Sequence, residues 1–490
     1  MIEFHVRAKQ GVKLLMGRQV FLQFLTFGGG VILARILNPT HFGLYVIATS
    51  LVTTFAMFGD FGLAPSFIQR KKELTDHDLR VGFTLQQIIT TVVVVGLFAA
   101  APALTRLYPK APPETVWLVR TLAFNLYLTS WRTMSALQME RQMRYDRLAW
   151  IEVIETLSYQ SLTVGLAIAG YGVWSFVWAT LARGVLGTLL VFLASPWRVR
   201  LAFDGEIARE ILRFGIPFQL QNIATQACGW IIPFLVGTLI GPQAVGYLMW
   251  ATSNGRKPLV LVDNMIRVAF PHFSRIQDDR AEVERTLTRY LTFSLIASSL
   301  WFAVIAVAGE PLVTWIYTDK WAPASTALKI AAALLSFDII SCFVTVTLNS
   351  LNLVRFGTRI LVLRAFVYNA LSIPLVLVMG FNGVALGYLL GCILIVPCLF
   401  QGLGSGALKR VLGPTAWILV PTTVSTGIGW LALQVRLPVG AHAILLVAVT
   451  TFVYLAAAWL CAPLWLTAGL RSNLHRPRFA AAGTAKPPLG

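Results

Sequence analysis

Residues 37–50 read LNPTHFGLYVIATS and residues 240–253 read IGPQAVGYLMWATS. Five of the fourteen columns are identical: Pro39/Pro242, Gly43/Gly246, Ala48/Ala251, Thr49/Thr252 and Ser50/Ser253. Each stretch reads as the turn that ends one helix and opens the next. The register extends on both sides without a gap, laying Gln19 on Asn222, Gln23 on Gln226 and Asp60 on Asp263. A second echo pairs Gly172–Val173 with Gly383–Val384, each after a short turn into a helix. One bundle is therefore written twice in the same direction, and the two copies are expected to be related by an axis along the membrane normal.

That the bundle lies in a membrane follows from composition. Of 490 residues, 57% are hydrophobic and 12% charged, against about a quarter charged in a soluble domain. Apolar runs of roughly 20 residues, each long enough to cross the hydrocarbon core, recur from end to end. The runs are continuous rather than alternating, which excludes a β-barrel. Helices satisfy their backbone polar groups within the segment, as lipid requires. The expectation is an all-α polytopic membrane protein with fourteen spans. They lie near 14–37, 43–69, 81–105, 116–138, 147–170, 172–195, 210–239, 244–270, 290–309, 324–352, 360–379, 382–404, 415–434 and 441–469. The repeat divides them into a six-helix bundle over 1–200, a second over 201–408 and two further spans over 409–470. The tail at 471–490, rich in Pro, Gly and Ala, reads as disordered and cytoplasmic.

The net charge of +19 belongs to short loops. Segments on the amino-terminal side of the spans carry 26 Lys and Arg, and the other side carries four: Arg106, Lys110, Lys320 and Arg436. The positive-inside rule then places both termini in the cytoplasm. Basic loops beside spans attract anionic lipid headgroups, and nucleic acid is not an expected partner. No cleavable signal peptide is expected, since the first apolar run is long enough to be a full span. The five cysteines, Cys228, Cys342, Cys392, Cys398 and Cys461, lie in apolar segments at spacings that suit no metal and read as small hydrophobes.

Polar residues inside spans carry the functional reading. Gln19, Gln23 and Thr26 share one helical face, as do Gln219, Asn222 and Gln226. Such stripes either glue helices together or line an aqueous cavity. Arg256 and Lys257 stand mid-span, about 18 Å from the outer end of their helix at 1.5 Å per residue, and Arg183 is similarly deep. Charges at that depth face the protein interior, so these cations line a wet cavity or join an internal ion pair. Arg132 and Asp338 are intermediate in depth. Asp60 and Asp263 lie in the inner thirds of their spans; like Asp338 they are candidates to bind a coupling proton or sodium ion, and Asp60 and Asp263 are equally placed to pair with loop cations. Glu152 and Glu155 are open in the same way. No phosphate-binding loop, dinucleotide fingerprint or clustered histidine ligands appear. The longest outer loops, near 106–115 and 310–323, are too short for a catalytic domain. The expectation is a transporter without catalytic residues, metal or cofactor.

Six blocks carry a family resemblance: LARILNPTHFGLYVIATS (33–50), FGDFGLAPSFIQ (58–69), MRYDRLAW (143–150), GYGVWSFV (170–177), VGTLIGPQAVGYLMWA (236–251) and IRVAFPHFSRIQDD (266–279). In this order they resemble the bacterial polysaccharide flippases, the Wzx-like branch of the multidrug/oligosaccharidyl-lipid/polysaccharide exporter superfamily. The resemblance implies a substrate, an oligosaccharide on a polyprenyl pyrophosphate, moved from inner to outer leaflet of the cytoplasmic membrane by alternating access. It also implies work alongside a polysaccharide polymerase and export machinery. A pyrophosphate in bare hydrocarbon would cost tens of kcal/mol, so a hydrated cationic cavity must replace the bilayer. Arg256, Lys257, Arg183 and, at the entrance, Arg18 are its expected cations, and the Gln and Asn stripes its partners for sugar hydroxyls. Two positions depart from the family pattern. Ile232 stands where an acid is frequent and Thr238 where a base is frequent, whereas Arg35 keeps the basic residue of the first copy. Two rivals differ in chemistry. A multidrug exporter of the superfamily would favour an acidic cavity and usually twelve helices. A membrane glycosyltransferase or polymerase would consume sugar donor or lengthen glycan.

Overall fold

The computed structural model describes residues 21–60, 66–67, 75–142, 144–197, 199–435 and 437–473. Arg18 and Gln19 lie outside this set, as do the side chains of Asp60, Asn222 and Gln226. The described chain is helical: α1 (Phe21–Ile36), α2 (Pro39–Asp60), α3 (Asp76–Arg106), α4 (Thr115–Ser130), α5 (Thr133–Arg141), α6 (Tyr145–Ile168), α7 (Trp174–Ala194), α8 (Gly205–Leu239), α9 (Pro242–Gly255), α10 (Leu259–Arg275), α11 (Arg280–Tyr317), α12 (Ser325–Ser350), α13 (Val354–Met379), α14 (Phe381–Gln401), α15 (Ala407–Leu412), α16 (Leu419–Ala432) and α17 (Val439–Asn473). Among the described residues, nine helical segments are long and apolar enough to cross a membrane. The protein is a multi-pass membrane protein.

Two expected spans are interrupted, each with a local cause. The span near 244–270 is α9 and α10, separated at Arg256–Pro258. Pro258 has no N–H to donate one turn back and disfavours helical backbone at Lys257, whose own N–H bonds Asn254 O at 3.3 Å, one residue short of an α-helical step. Arg256 and Lys257 thus occupy a break, not the middle of a regular helix. The span near 116–138 changes to a tighter turn at Trp131–Arg132, where Arg132 N–H bonds Thr129 O at 3.3 Å.

Caps fix the register of the long helices. Thr75 and Asp78 form a reciprocal capping box at the start of α3. Asp204 caps α8 by accepting from the N–H groups of Glu206 (2.9 Å) and Ile207 (3.2 Å). Those backbone bonds, that from Ile207 first, hold its carboxyl below its ordinary value, with His77 adding to the effect. Within α3, Pro102 leaves the carbonyl of Phe98 without its helical donor, and Arg120 Nε fills the place at 3.2 Å.

Packing gathers the chain into two compact units. The first comprises Met1–Lys257, Leu312–Leu334 and Thr358–Ile395. Its core includes Leu44, Ala48, Val52, Leu97, Leu118, Leu122 and Val177, with Leu33, Leu37 and Phe176 beside them. The second comprises Pro258–Pro311, Leu335–Gly357 and Val396–Gly490. Within it Ser299 Oγ lies 2.6 Å from Tyr454 Oη, joining α17 to α11. Ser298 meets Ser336 at 3.1 Å, and Glu284 takes a two-pronged bond from Arg410 at 2.6 and 2.7 Å.

Candidate functional site

The repeated turn packs against itself. In the first unit α2 and α9 lie side by side with Gly43 against Pro242 and Gly246 against Pro39. A Cβ at Gly43 would fall 1.7 Å from Pro242 O, and one at Gly246 would fall 2.0 Å from Pro39 O. The helices approach until backbone meets backbone, which only a residue without Cβ permits. The contact is reciprocal, each copy presenting the same proline carbonyl to the other's glycine.

Around this contact the two copies are tied at their sparsely basic rim, mostly through main-chain carbonyls. Arg35 Nε and Nη2 donate to Ile316 O and Trp315 O, both at 2.7 Å. Lys320 Nζ returns a bond to Arg35 O at 2.6 Å. Lys110 Nζ reaches Leu239 O at 3.2 Å. Trp321, with no solvent exposure, donates Nε1–H to Ala34 O at 2.8 Å. Its ring meets Phe42 edge-on and Trp250 at a 31° tilt, at 5.2 and 5.0 Å. The charged donors are exposed, so each of their bonds is weak alone; the rim holds through their number and through the buried Trp321 bond.

The cations expected mid-span fall into two groups. At the α9–α10 break, Lys257 Nζ sits 3.7 Å from the centre of the Phe27 ring on α1, a cation–π contact. Among the described residues Lys257 makes no ion pair. Gln23 lies one turn before Phe27 on the same helix, so the break of the second copy meets, at Phe27, the helix that carries the polar stripe of the first. Arg256 beside it is half-buried. The preceding Gly255 packs tightly on Ala331 of α12, where a Cβ would come within 2.7 Å of Ala331 Cβ.

Arg183 belongs to the other group. Its Nε is 3.3 Å from Glu155 Oε2, while Arg132 Nη1 is 2.5 Å from Oε1. The Glu155 side chain is 6% exposed, but those of Arg132 and Arg183 keep 32% and 42%. The Tyr159 ring lies 5.9 Å from the Arg183 guanidinium carbon. The internal ion pair left open for Arg183 by its sequence is present, and two cations share the one carboxylate.

Other expected residues lie apart from these groups. Gln219 is buried on α8, Asp338 is buried on α12, and Asp263 is exposed on α10. Two features escape a reading of residue types alone. The break at Lys257 is signalled by Asn-Gly-Arg-Lys-Pro at 254–258 but is masked by apolar sequence on both sides. The Glu155 bridge has only the depth of its three charges as a signal, since nothing local pairs residues 132, 155 and 183.

The described helices adopt a fold already seen in solved structures of membrane proteins. The fold superposes on the lipid II flippase MurJ in its inward closed conformation with a TM-score of 0.76, at 15% identity, covering 92% of this chain and 99% of that one. It superposes on an inward-facing multidrug resistance MATE family transporter with a TM-score of 0.61, also at 15% identity, covering 79% and 95%. At such identity the likeness is one of fold. In sequence, residues 32–326 match the polysaccharide biosynthesis protein family, and the chain belongs to that family. It is 26% identical over 307 residues to the succinoglycan biosynthesis transport protein ExoT of Rhizobium meliloti, covering 61% of this chain and 60% of that protein. It is 24% identical over 306 residues to the lipopolysaccharide biosynthesis protein WzxC of Escherichia coli, covering 59% of each. The matches thus span about three fifths of the length of these relatives.

Proposed function

We propose that the protein flips a polyprenyl-pyrophosphate-linked oligosaccharide from the inner to the outer leaflet of the bacterial cytoplasmic membrane, as a step in building a cell-surface polysaccharide. The observation that carries this reading is the helix break that sets Arg256 and Lys257 within the apolar span, with Lys257 over the Phe27 ring of α1. Lys257, which makes no ion pair among the described residues, suits an anionic cargo. Membership of the polysaccharide biosynthesis family, and relatives named for succinoglycan transport and lipopolysaccharide biosynthesis, support the same cargo class. In this reading the protein is a transporter, not an enzyme. The lipid tail stays in the bilayer while the pyrophosphate passes Arg18, Arg256 and Lys257 and the sugar hydroxyls meet the amide stripes.

The sparsely basic rim faces outward and both termini face the cytoplasm, as the 26-to-4 distribution of Lys and Arg supports. A latched outer rim corresponds to the state closed to the outside, and transport requires it to open. Repeated bundles rocking about the rim give alternating access. Asp60, Asp263 and Asp338 are the carboxylates available to couple the cycle to a proton or sodium ion, and a polymerase and export machinery take the product onward.

The test is leaflet-resolved detection of lipid-linked oligosaccharide, with surface glycan, in cells depleted of the protein. Inner-leaflet accumulation with loss of surface glycan is expected. Normal outer-leaflet intermediate in cells lacking any redundant flippase overturns the reading, and drug-efflux and glycan-polymerisation assays then decide between exporter and enzyme.

A further inference from the structure

The transport path drawn above leaves Glu155 and Arg132 without a role. Their arrangement with Arg183 is specific: two guanidiniums, from the α4–α5 junction and from α7, close on the two oxygens of one carboxylate from α6. The group has one cation in excess of its anion. Glu155 is buried, whereas both arginines retain exposed surface and therefore donors to spare, since each guanidinium carries five. Glycine lies where the carboxylate sits: a Cβ at Gly187 would fall 2.0 Å from Glu155 Oε1 and 2.4 Å from Arg132 Nη1. One turn away, Gly184 makes room for Asn125, whose buried Oδ1 has no hydrogen-bond partner among the described residues.

A carboxylate between two guanidiniums offers paired oxygens to planar donor forks, the same recognition that a phosphate group receives. We propose that Arg132 and Arg183 form an anion site for a phosphate group, and that Glu155 is its built-in occupant, displaced when a phosphate-bearing ligand enters. A phosphate of higher charge is the better counter-ion for two guanidiniums than one carboxylate. Glu155 meanwhile keeps the empty site from holding two guanidiniums side by side with no counter-ion, since like charges at close range repel. Whether the phosphate belongs to the cargo rests on the transport reading; the existence of the site does not. An anionic lipid headgroup supplies the same chemistry.

The experiment follows thermal unfolding of the full-length protein in nanodiscs of neutral phosphatidylcholine, titrated with inorganic pyrophosphate. Glu155→Gln is expected to melt below the wild type and to recover as pyrophosphate fills the vacated place, since a ligand bound only by the folded state stabilises it. The midpoint of that recovery is expected at a concentration about tenfold lower than for the wild type, where the carboxylate competes, each tenfold being about 1.4 kcal/mol of affinity. Adding Arg183→Gln to Glu155→Gln is expected to abolish the response. If pyrophosphate leaves Glu155→Gln unchanged, or stabilises the double variant equally, Glu155 is a structural ion-pair member only and the proposal fails. Should Glu155→Gln not yield folded protein, Glu155→Asp keeps the charge but lacks the reach for both arginines. A pyrophosphate response no greater than that of the wild type overturns the proposal in that case. Including phosphatidylglycerol in the discs separates the sources: competition with pyrophosphate assigns the site to lipid headgroups, and its absence to the cargo. Failure of flipping in cells would remove the transport reading and leave this response to stand or fall alone.

Discussion

Lys257 shows how a single side chain is decided by what surrounds it. An ammonium inside an apolar span needs a partner, and the one provided is the π-face of Phe27, a contact of about 0.5–2 kcal/mol. A ring steadies the cation without neutralising it, leaving its charge for an anion. Lys257→Met is therefore expected to reduce surface glycan to the level of cells without the protein at matched expression, while Lys257→Arg retains most of it. Glycan staining that shows Met as good as Lys would remove Lys257 from the anion path. The depth of this lysine was legible in the sequence; its partner was not. Periodicity says which face of α1 Phe27 and Gln23 share, but the distant residue that meets that face depends on the packing of separate helices. Arg183 teaches the same lesson, since its depth allowed either a cavity or an ion pair and only the placement of α6 chose Glu155.

At the level of elements, the helix-to-helix turn was the most readable feature, because a spacing of 203 residues with shared Pro and Gly columns survives any uncertainty about where helices end. What the columns are for became visible only with α2 and α9 side by side. Gly246→Val places atoms 2.0 Å from where Pro39 O now lies, so α2 and α9 must move apart to take them. We expect the substitution to hold the two turns apart, seen as longer and broader distances between spin labels on the exposed Asn38 and Gln243, with transport lost. An unchanged distance distribution would show that the contact yields more easily than its geometry implies. Gly383, Gly387 and Gly391 give α14 a similar seam against α13, where a Cβ at Gly387 would lie 2.8 Å from Ser372 Cα. That spacing was plain in the sequence, though only its first member entered the comparison of the repeats. The capping bonds of Thr75 and Asp204 are local, whereas the rim bonds of Arg35 and Trp321 go to carbonyls some 280 residues away. Every residue owns a carbonyl, so residue types give no sign of which one an arginine will choose.

For the whole molecule, the rim is the consequential structure, because in the proposed cycle, with the rim on the outer side, any route that releases cargo outward must undo it. Five donors on four side chains release together if the turns separate, which makes opening cooperative rather than gradual. Cysteines replacing Asn38 and Gln243, joined by a short bifunctional maleimide, are expected to stop transport without lowering the amount of protein in the membrane. A reagent with a reducible linker is expected to restore it on reduction. Full transport by the joined protein would mean that the rim does not move in the cycle.

The reciprocity of Gly43 and Gly246 reaches beyond the working cycle. A surface that fits its own copy about a two-fold axis is how identical subunits associate, and here both surfaces lie on one chain. Fusion of two such subunits frees each glycine to change independently, yet each remains answerable to the other's proline. The contact therefore couples the two copies: a side chain added at either glycine meets the other copy's proline carbonyl, so each turn sets what its counterpart can carry.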